Sequence, residues 1–174
     1  MARLPDIDAD APDLDRALLQ RLLQRRRGEL LNLDKQLLHS PPVADGWNHF
    51  MGAIRSDTQL DGALRELVIL LVAVLNRAPY EFAQHATVAR VEGVSQAQID
   101  AVGQWRESPR FDARERAVLA YAEAMTLSVQ VPQPVFDAVR GAFSAREVVE
   151  LTATVASYNM VSRFLEALRI EIEA

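Results

Sequence analysis

The stretch NRAPYEFAQH, residues 76–85, places Glu81 and His85 four residues apart, directly after nine consecutive apolar residues. Side chains four apart on a helix share a face, so a carboxylate there can hydrogen-bond the imidazole, fix its tautomer and favour its protonated form. A histidine held in that way gives or takes a proton near neutral pH. Such pairs are also common on solvated helices and usually do nothing, so spacing alone leaves an inert reading beside the catalytic one. Glu66 is the third residue of interest. It opens the most apolar helix of the chain, where it either caps the solvent end or sits in an apolar wall with its carboxyl pushed up by burial.

The elements that must position these groups are helical. Leu18, Leu19, Leu22 and Leu23 recur at helical spacing after Asp13, and Leu30, Leu31 and Leu33 extend the region until Ser40-Pro41-Pro42 stops it. A short helix containing Trp47, Phe50, Met51 and Ile54 follows. The apolar run LVILLVAVL predicts a buried helix from about Gln59 to Asn76, broken by "NRAP". Pro79 suits the first turn of the next helix, Tyr80 to Glu92, and Gly93 its end. Ser95 with Gln98, Asp112 with Glu115 and Ser144 with Glu147 read as capping boxes, the last opening a helix to about Ile172. No stretch reads as a strand. The expectation is a compact all-α fold of six to eight helices: a loose acidic arm over residues 1–12, then one helical domain over 13–174.

The hairpin at "NRAP" has a geometric consequence. Glu66 lies about ten residues before the turn and His85 about nine after its start. At ~1.5 Å rise per residue both sit roughly 10–15 Å from the turn, so they are level, although the rotation of each helix stays open.

Totals exclude several classes. With 174 residues, 49% of them hydrophobic, the chain can bury a sizeable core. A net charge of −5 opposes nucleic-acid and anionic-membrane partners. Arg25, Arg26 and Arg27 are a local exception, read as a solvated helix face. The chain has no cysteine, hence no disulfide, thiolate metal site or thiol redox step. The first residues lack the apolar core of a signal peptide and the longest apolar run is too short to span a bilayer, so the expected location is cytoplasmic. One histidine with two glutamates falls short of a carboxylate-bridged metal site, so no metal is expected. No nucleophile elbow, phosphate loop or dinucleotide fingerprint is present. A weak echo pairs RELVILLVAVLN (65–76) with REVVELTATVASYN (146–159): either two copies of one helical unit or two similar buried helices.

Residues 65–102, RELVILLVAVLNRAPYEFAQHATVARVEGVSQAQIDAV, resemble the carboxymuconolactone decarboxylase superfamily, which includes the alkylhydroperoxidase D proteins. The segments 37–54 and 115–168 resemble the helix before that core and the C-terminal part of longer members. The resemblance implies an all-helical fold that assembles as trimers, or hexamers built from them. The peroxidase branch carries Glu followed by Cys-x-x-Cys-x-x-x-His. Aligned on His85, its cysteines fall on Ala78 and Glu81 and its glutamate on Glu66, so both sulfurs are missing and reduction of peroxide by that route cannot proceed.

The decarboxylase branch needs no cysteine, metal or organic cofactor, and its substrate is a carboxylated muconolactone from aromatic breakdown. What the resemblance then implies is a lyase in which His85 either donates the proton or hydrogen-bonds the lactone oxygen, Glu81 orients His85 and Glu66 completes a relay. Arg65, Arg77 and Arg90 are the candidate anchors for a substrate carboxylate, and Trp47 and Tyr80 either line the pocket or merely pack. The alternatives are a peroxidase scaffold without its redox cysteines and a non-catalytic helical oligomer that binds a small acid. The helices at 59–76 and 144–172 carry more apolar surface than a monomer of this size needs to hide, so a homo-oligomer is expected, a trimer or hexamer, with a dimer as the lesser form.

Overall fold

A computed structural model describes residues 2–11 and 14–173. Met1 and Pro12 of the expected arm, and Asp13 and Ala174, lie outside the described residues. Among the described residues the chain forms nine α-helices, one 3-10 turn and no strand: α1 (Arg16–Arg26), α2 (Asn32–Leu37), α3 (Pro41–Ser56), α4 (Gly62–Asn76), α5 (Pro79–Val91), α6 (Gln96–Ala101), the 3-10 turn (Val102–Gln104), α7 (Ala113–Ser128), α8 (Gln133–Ala142) and α9 (Ala145–Leu168). The fold class is therefore all-α, with one helix more than expected.

The departures have local causes. The region between Asp13 and Ser40 is two helices, because Arg27 (φ 59°) and Gly28 (φ 106°) turn the chain through left-handed geometry. The Gly28 N–H then closes back on the Leu23 carbonyl at 2.8 Å. The helix expected to be short is 16 residues long, started by Pro41 and Pro42. Pro134 stands in the first turn of α8, a further helix between α7 and α9. The last helix ends at Leu168 rather than near Ile172, since Arg169 is left-handed (φ 53°) and Ile170 N–H bonds back to Leu165.

The chain divides into two compact units, Met1–Asp57 with Leu165–Ala174, and Thr58–Phe164. In the first, α3 packs on α1 and α2. The N-terminal segment is tied down: Arg3 N–H donates to the Leu168 carbonyl at 2.9 Å, Gln36 Nε2 to Asp6 Oδ1 at 2.7 Å, and the His39 ring to the Pro5 carbonyl at 2.7 Å. Arg25 and Arg26 are not a solvated face. Both turn inward onto the buried carboxylate of Asp34, Arg26 through two bonds of 2.7 and 3.0 Å and Arg25 at 3.5 Å. The same carboxylate accepts the Leu31 N–H at the start of α2.

The second unit is built around α4. Asp61 caps it by accepting the Leu64 N–H, and every residue from Leu64 to Ala73 is buried. An apolar run of that length, hidden all round, contributes ~1.5–3 kcal/mol for each large side chain removed from water. α4 packs against α5, α7 and the 3-10 turn, and α7 against α8. Polar side chains tie in α9: Tyr121 to Thr152 at 2.9 Å, Asn159 to Thr126 at 2.9 Å, and Asn76 to Asn159 at 3.1 Å. That last bond joins the final residues of the two similar segments noted in the sequence. All three expected capping boxes form. Among the described residues, no helix is long and apolar enough to cross a membrane.

Candidate active site

The turn between α4 and α5 determines which side chains meet. Arg77 adopts the left-handed conformation (φ 56°), and its N–H closes on the Ala73 and Val74 carbonyls. Pro79 then starts α5 where a missing N–H costs nothing. The two helices fold back antiparallel, and Glu66 and His85 come level as their equal distances from the turn require. The rotation that the sequence leaves open is resolved inward for both: Glu66 is wholly buried and His85 is 7% exposed.

His85 Nδ1 lies 2.6 Å from Glu66 Oε2. An ionised carboxylate only accepts, so Nδ1 carries the proton and donates it, which leaves Nε2 as the nitrogen able to exchange one. The edge of the imidazole meets the Tyr158 ring with centroids 4.8 Å apart and planes at 87°. Glu66 also accepts from Arg65 Nε at 3.3 Å, and Arg65 reaches Glu92 Oε1 at 3.3 Å. Burying a carboxylate completely is costly unless it is paired and hydrogen-bonded, and Glu66 has an arginine on one side and the histidine on the other.

Glu81, one turn before His85, is also buried. Both its oxygens lie 3.1 Å from the Ser162 hydroxyl, which donates to them, and Asn76 Nδ2 donates to Ser162 at 3.2 Å. The site therefore draws on three helices: α4 gives Arg65, Glu66 and Asn76, α5 gives Glu81 and His85, and α9 gives Tyr158, Asn159 and Ser162.

The remaining sequence candidates separate. Tyr80 is buried on α5. Trp47 is buried on α3, in the other unit. Arg90 is exposed and bonds Gln96 and Thr87. Arg77 is exposed and lines a 440 Å³ recess with Ala73, Val74, Ala78, Pro79 and Phe82. The lining comes from the end of α4 and the start of α5; His85, one turn beyond Phe82, is not among the lining residues. Among the described residues, no cluster of three or more His, Asp or Glu side chains is arranged to hold a metal ion.

Sequence reasoning did not single out Ser162, Asn159, Tyr158, Asn76 or Glu92. A faint signal existed in α9, where Thr154, Ser157 and Ser162 interrupt an otherwise apolar buried face.

The model of the carboxymuconolactone decarboxylase family matches residues 41–124, which include Glu66, Arg77, Glu81 and His85. An uncharacterised protein of Escherichia coli (strain K12), YnjA, is 32% identical over 156 residues, 86% of this chain and 83% of that one. The chain belongs to the carboxymuconolactone decarboxylase family. Its fold is that of the alkylhydroperoxidase D-like proteins. An AhpD-core, peroxidase-related protein from Ralstonia eutropha JMP134 superposes with a TM-score of 0.86 at 21% identity, over 99% of this chain and 92% of that one. The debrominase Bmp8, solved as a cysteine-to-alanine variant in complex with 2,3,4-tribromopyrrole, superposes with a TM-score of 0.80 at 22% identity, over 99% and 91%.

Proposed function

We propose that the protein is a thiol-independent lyase that decarboxylates a small carboxylated lactone or related ring-cleavage acid by general acid–base catalysis. The observation that carries this reading is the buried contact of His85 Nδ1 with Glu66 at 2.6 Å, in a chain without cysteine that belongs to a family of decarboxylases. The ring of the substrate would sit against Ala73, Val74 and Phe82, with Arg77 at the rim holding an anionic group that the substrate keeps. The carboxylate to be lost is then stripped of water by apolar walls, which disfavours it relative to neutral carbon dioxide. As carbon dioxide leaves, the electron pair of the broken C–C bond passes into the ring as a dienolate. The proton on His85 Nε2 moves to the ring carbon and is recovered from water, while Glu66 keeps the Nδ1 proton in place.

Mixing the purified protein with carboxymuconolactone and following its ultraviolet absorbance tests this reading. Turnover that His85→Ala lowers by ~10²–10⁴-fold is expected. No turnover of this or related lactones would overturn it. A homo-oligomer built from trimers goes with the same reading, supported by exposed Leu127, Val129 and Val149 in the second unit. Light scattering that finds only a monomer at micromolar concentration counts against it.

One finding favours a second reading. The debrominase of the same fold is bound to an apolar halogenated ring, and the recess here is lined chiefly by apolar groups. A ring-binding module would retain its ligand in His85→Ala and never turn it over.

A further inference from the structure

The decarboxylation steps above use Glu66 and His85 but leave a neighbouring ion pair without a role. Arg65 is buried, and its guanidinium spans two carboxylates, donating from Nε to Glu66 at 3.3 Å and from its terminal nitrogen to Glu92 at 3.3 Å. Glu92 follows α5 as its C-terminal cap and keeps 38% of its side chain exposed. A feature of α4 makes this reach possible. Gly62 is the first residue of α4, and a Cβ built there would fall on the Glu92 carboxylate. The absent side chain at position 62 is therefore the space in which Glu92 meets Arg65.

We propose that Arg65 and Glu92 are positioning residues for the Glu66–His85 pair, with Gly62 keeping the space that lets Glu92 share the charge of Arg65. The argument is one of charge. Arg65 beside Glu66 offsets the negative charge that would otherwise favour a protonated imidazole. Glu92 offsets Arg65 in turn, so Arg65, Glu66 and Glu92 together present one net negative charge to the His85 ring. Glu92 thereby prepares the pair to hold the proton it must donate. The distances agree: the 2.6 Å bond from His85 is much shorter than the 3.3 Å bond from Arg65, so the imidazole is the closer partner of Glu66. Two other titratable groups lie near the ring: Glu81 from α5, held by Ser162, and Tyr158 from α9. Neither touches Arg65 among the bonds described above, so the Arg65–Glu92 effect is separable from theirs. The value of this arrangement for turnover rests on the acid–base reading of the site, but its test does not.

The experiment is an NMR titration of the histidine rings in the full-length protein, with His85 assigned by its loss in His85→Ala. Glu92→Gln is expected to move the His85 midpoint to lower pH, by the equivalent of roughly a threefold change in proton affinity at low salt, and less at high salt because Glu92 is part-exposed. Gly62→Ala should act in the same direction, since the mobile Glu92 side chain can swing away and leave α4 folded. Arg65→Met should move the midpoint upwards, and on that background Glu92→Gln should have little further effect. A His85 midpoint unmoved by both Glu92→Gln and Gly62→Ala overturns the proposal. So does a Glu92→Gln shift of equal size with and without Arg65. Should Arg65→Met fail to fold, the first two variants still decide. If the protein turns over no lactone yet the shifts appear, the decarboxylase reading has failed and the positioning role stands. If lactone is turned over and the shifts are absent, the reverse holds.

Discussion

Asp34 in the first unit and Glu66 in the second are both wholly buried, and each has arginine beside it. Asp34 is enclosed by permanent cations. Arg26 grips it with two short bonds, Arg25 adds a second positive charge, and the Leu31 N–H takes one of the same oxygens. Arginine does not deprotonate in a protein, so neither of these side chains can hand a proton to Asp34 or take one from it. That carboxylate holds the C-terminal end of α1 against the start of α2. Glu66 has Arg65 at 3.3 Å, and the shorter bond, 2.6 Å, goes to an imidazole, a group that can gain and lose a proton. Burial and pairing alone do not mark a reactive carboxylate. What separates Glu66 from Asp34 is the identity of the closest partner.

The largest effect that would sharpen this contrast is on stability. Asp34→Ala strands two arginines, neither side chain more than 19% exposed, and should cost ~3–5 kcal/mol in urea unfolding. Turnover per folded molecule should stay near that of the parent. His85→Ala should do the opposite, leaving α4 and α5 folded by circular dichroism while turnover falls as stated above. A loss of turnover in Asp34→Ala at full folding would break the comparison.

A smaller effect concerns Glu150, which anchors the entry to α4. Burial pushes its carboxyl up, but the Arg146 side chain and the Leu60 and Gln59 N–H groups bind the ionised form, and the net value lies below the ordinary 4.5. A group lowered on folding stabilises above its unfolded value and loses that contribution as pH falls through its folded one. Glu150→Gln should therefore have a lower melting temperature than the parent at neutral pH and a shallower decline below about pH 4.5. Parallel melting curves across that range would show that the bonds to Gln59 and Leu60 carry no ionic part.

Much of the frame was legible because it is local. The caps at Ser95, Asp112 and Ser144 and the turn at "NRAP" act over three or four residues, and all form as their residue types require. The level pairing of Glu66 with His85 followed from two lengths measured from one turn. The contacts that sequence could not supply are those set by helix rotation and long separation. Ser162 meets Glu81 across 81 positions, and Arg65 meets Glu92 across 27. Nothing in the spacing of either pair encodes a meeting. The break between α1 and α2 is different: the Gly28 signal was present, but Leu30, Leu31 and Leu33 carry the apolar pattern on past it, less regularly, and masked it.

Arg77 occupies the left-handed position at the end of α4, where glycine is the comfortable residue and a side chain costs ~1 kcal/mol. The guanidinium that this discomfort places at the rim of the recess is the cation proposed to hold the substrate. Arg77→Gly should raise the unfolding free energy by up to about that amount while weakening the binding of a lactone acid. Directed evolution of this chain for heat tolerance would thus be drawn to position 77 early, and a library ranked on melting temperature alone would enrich hardier molecules that have let go of their ligand.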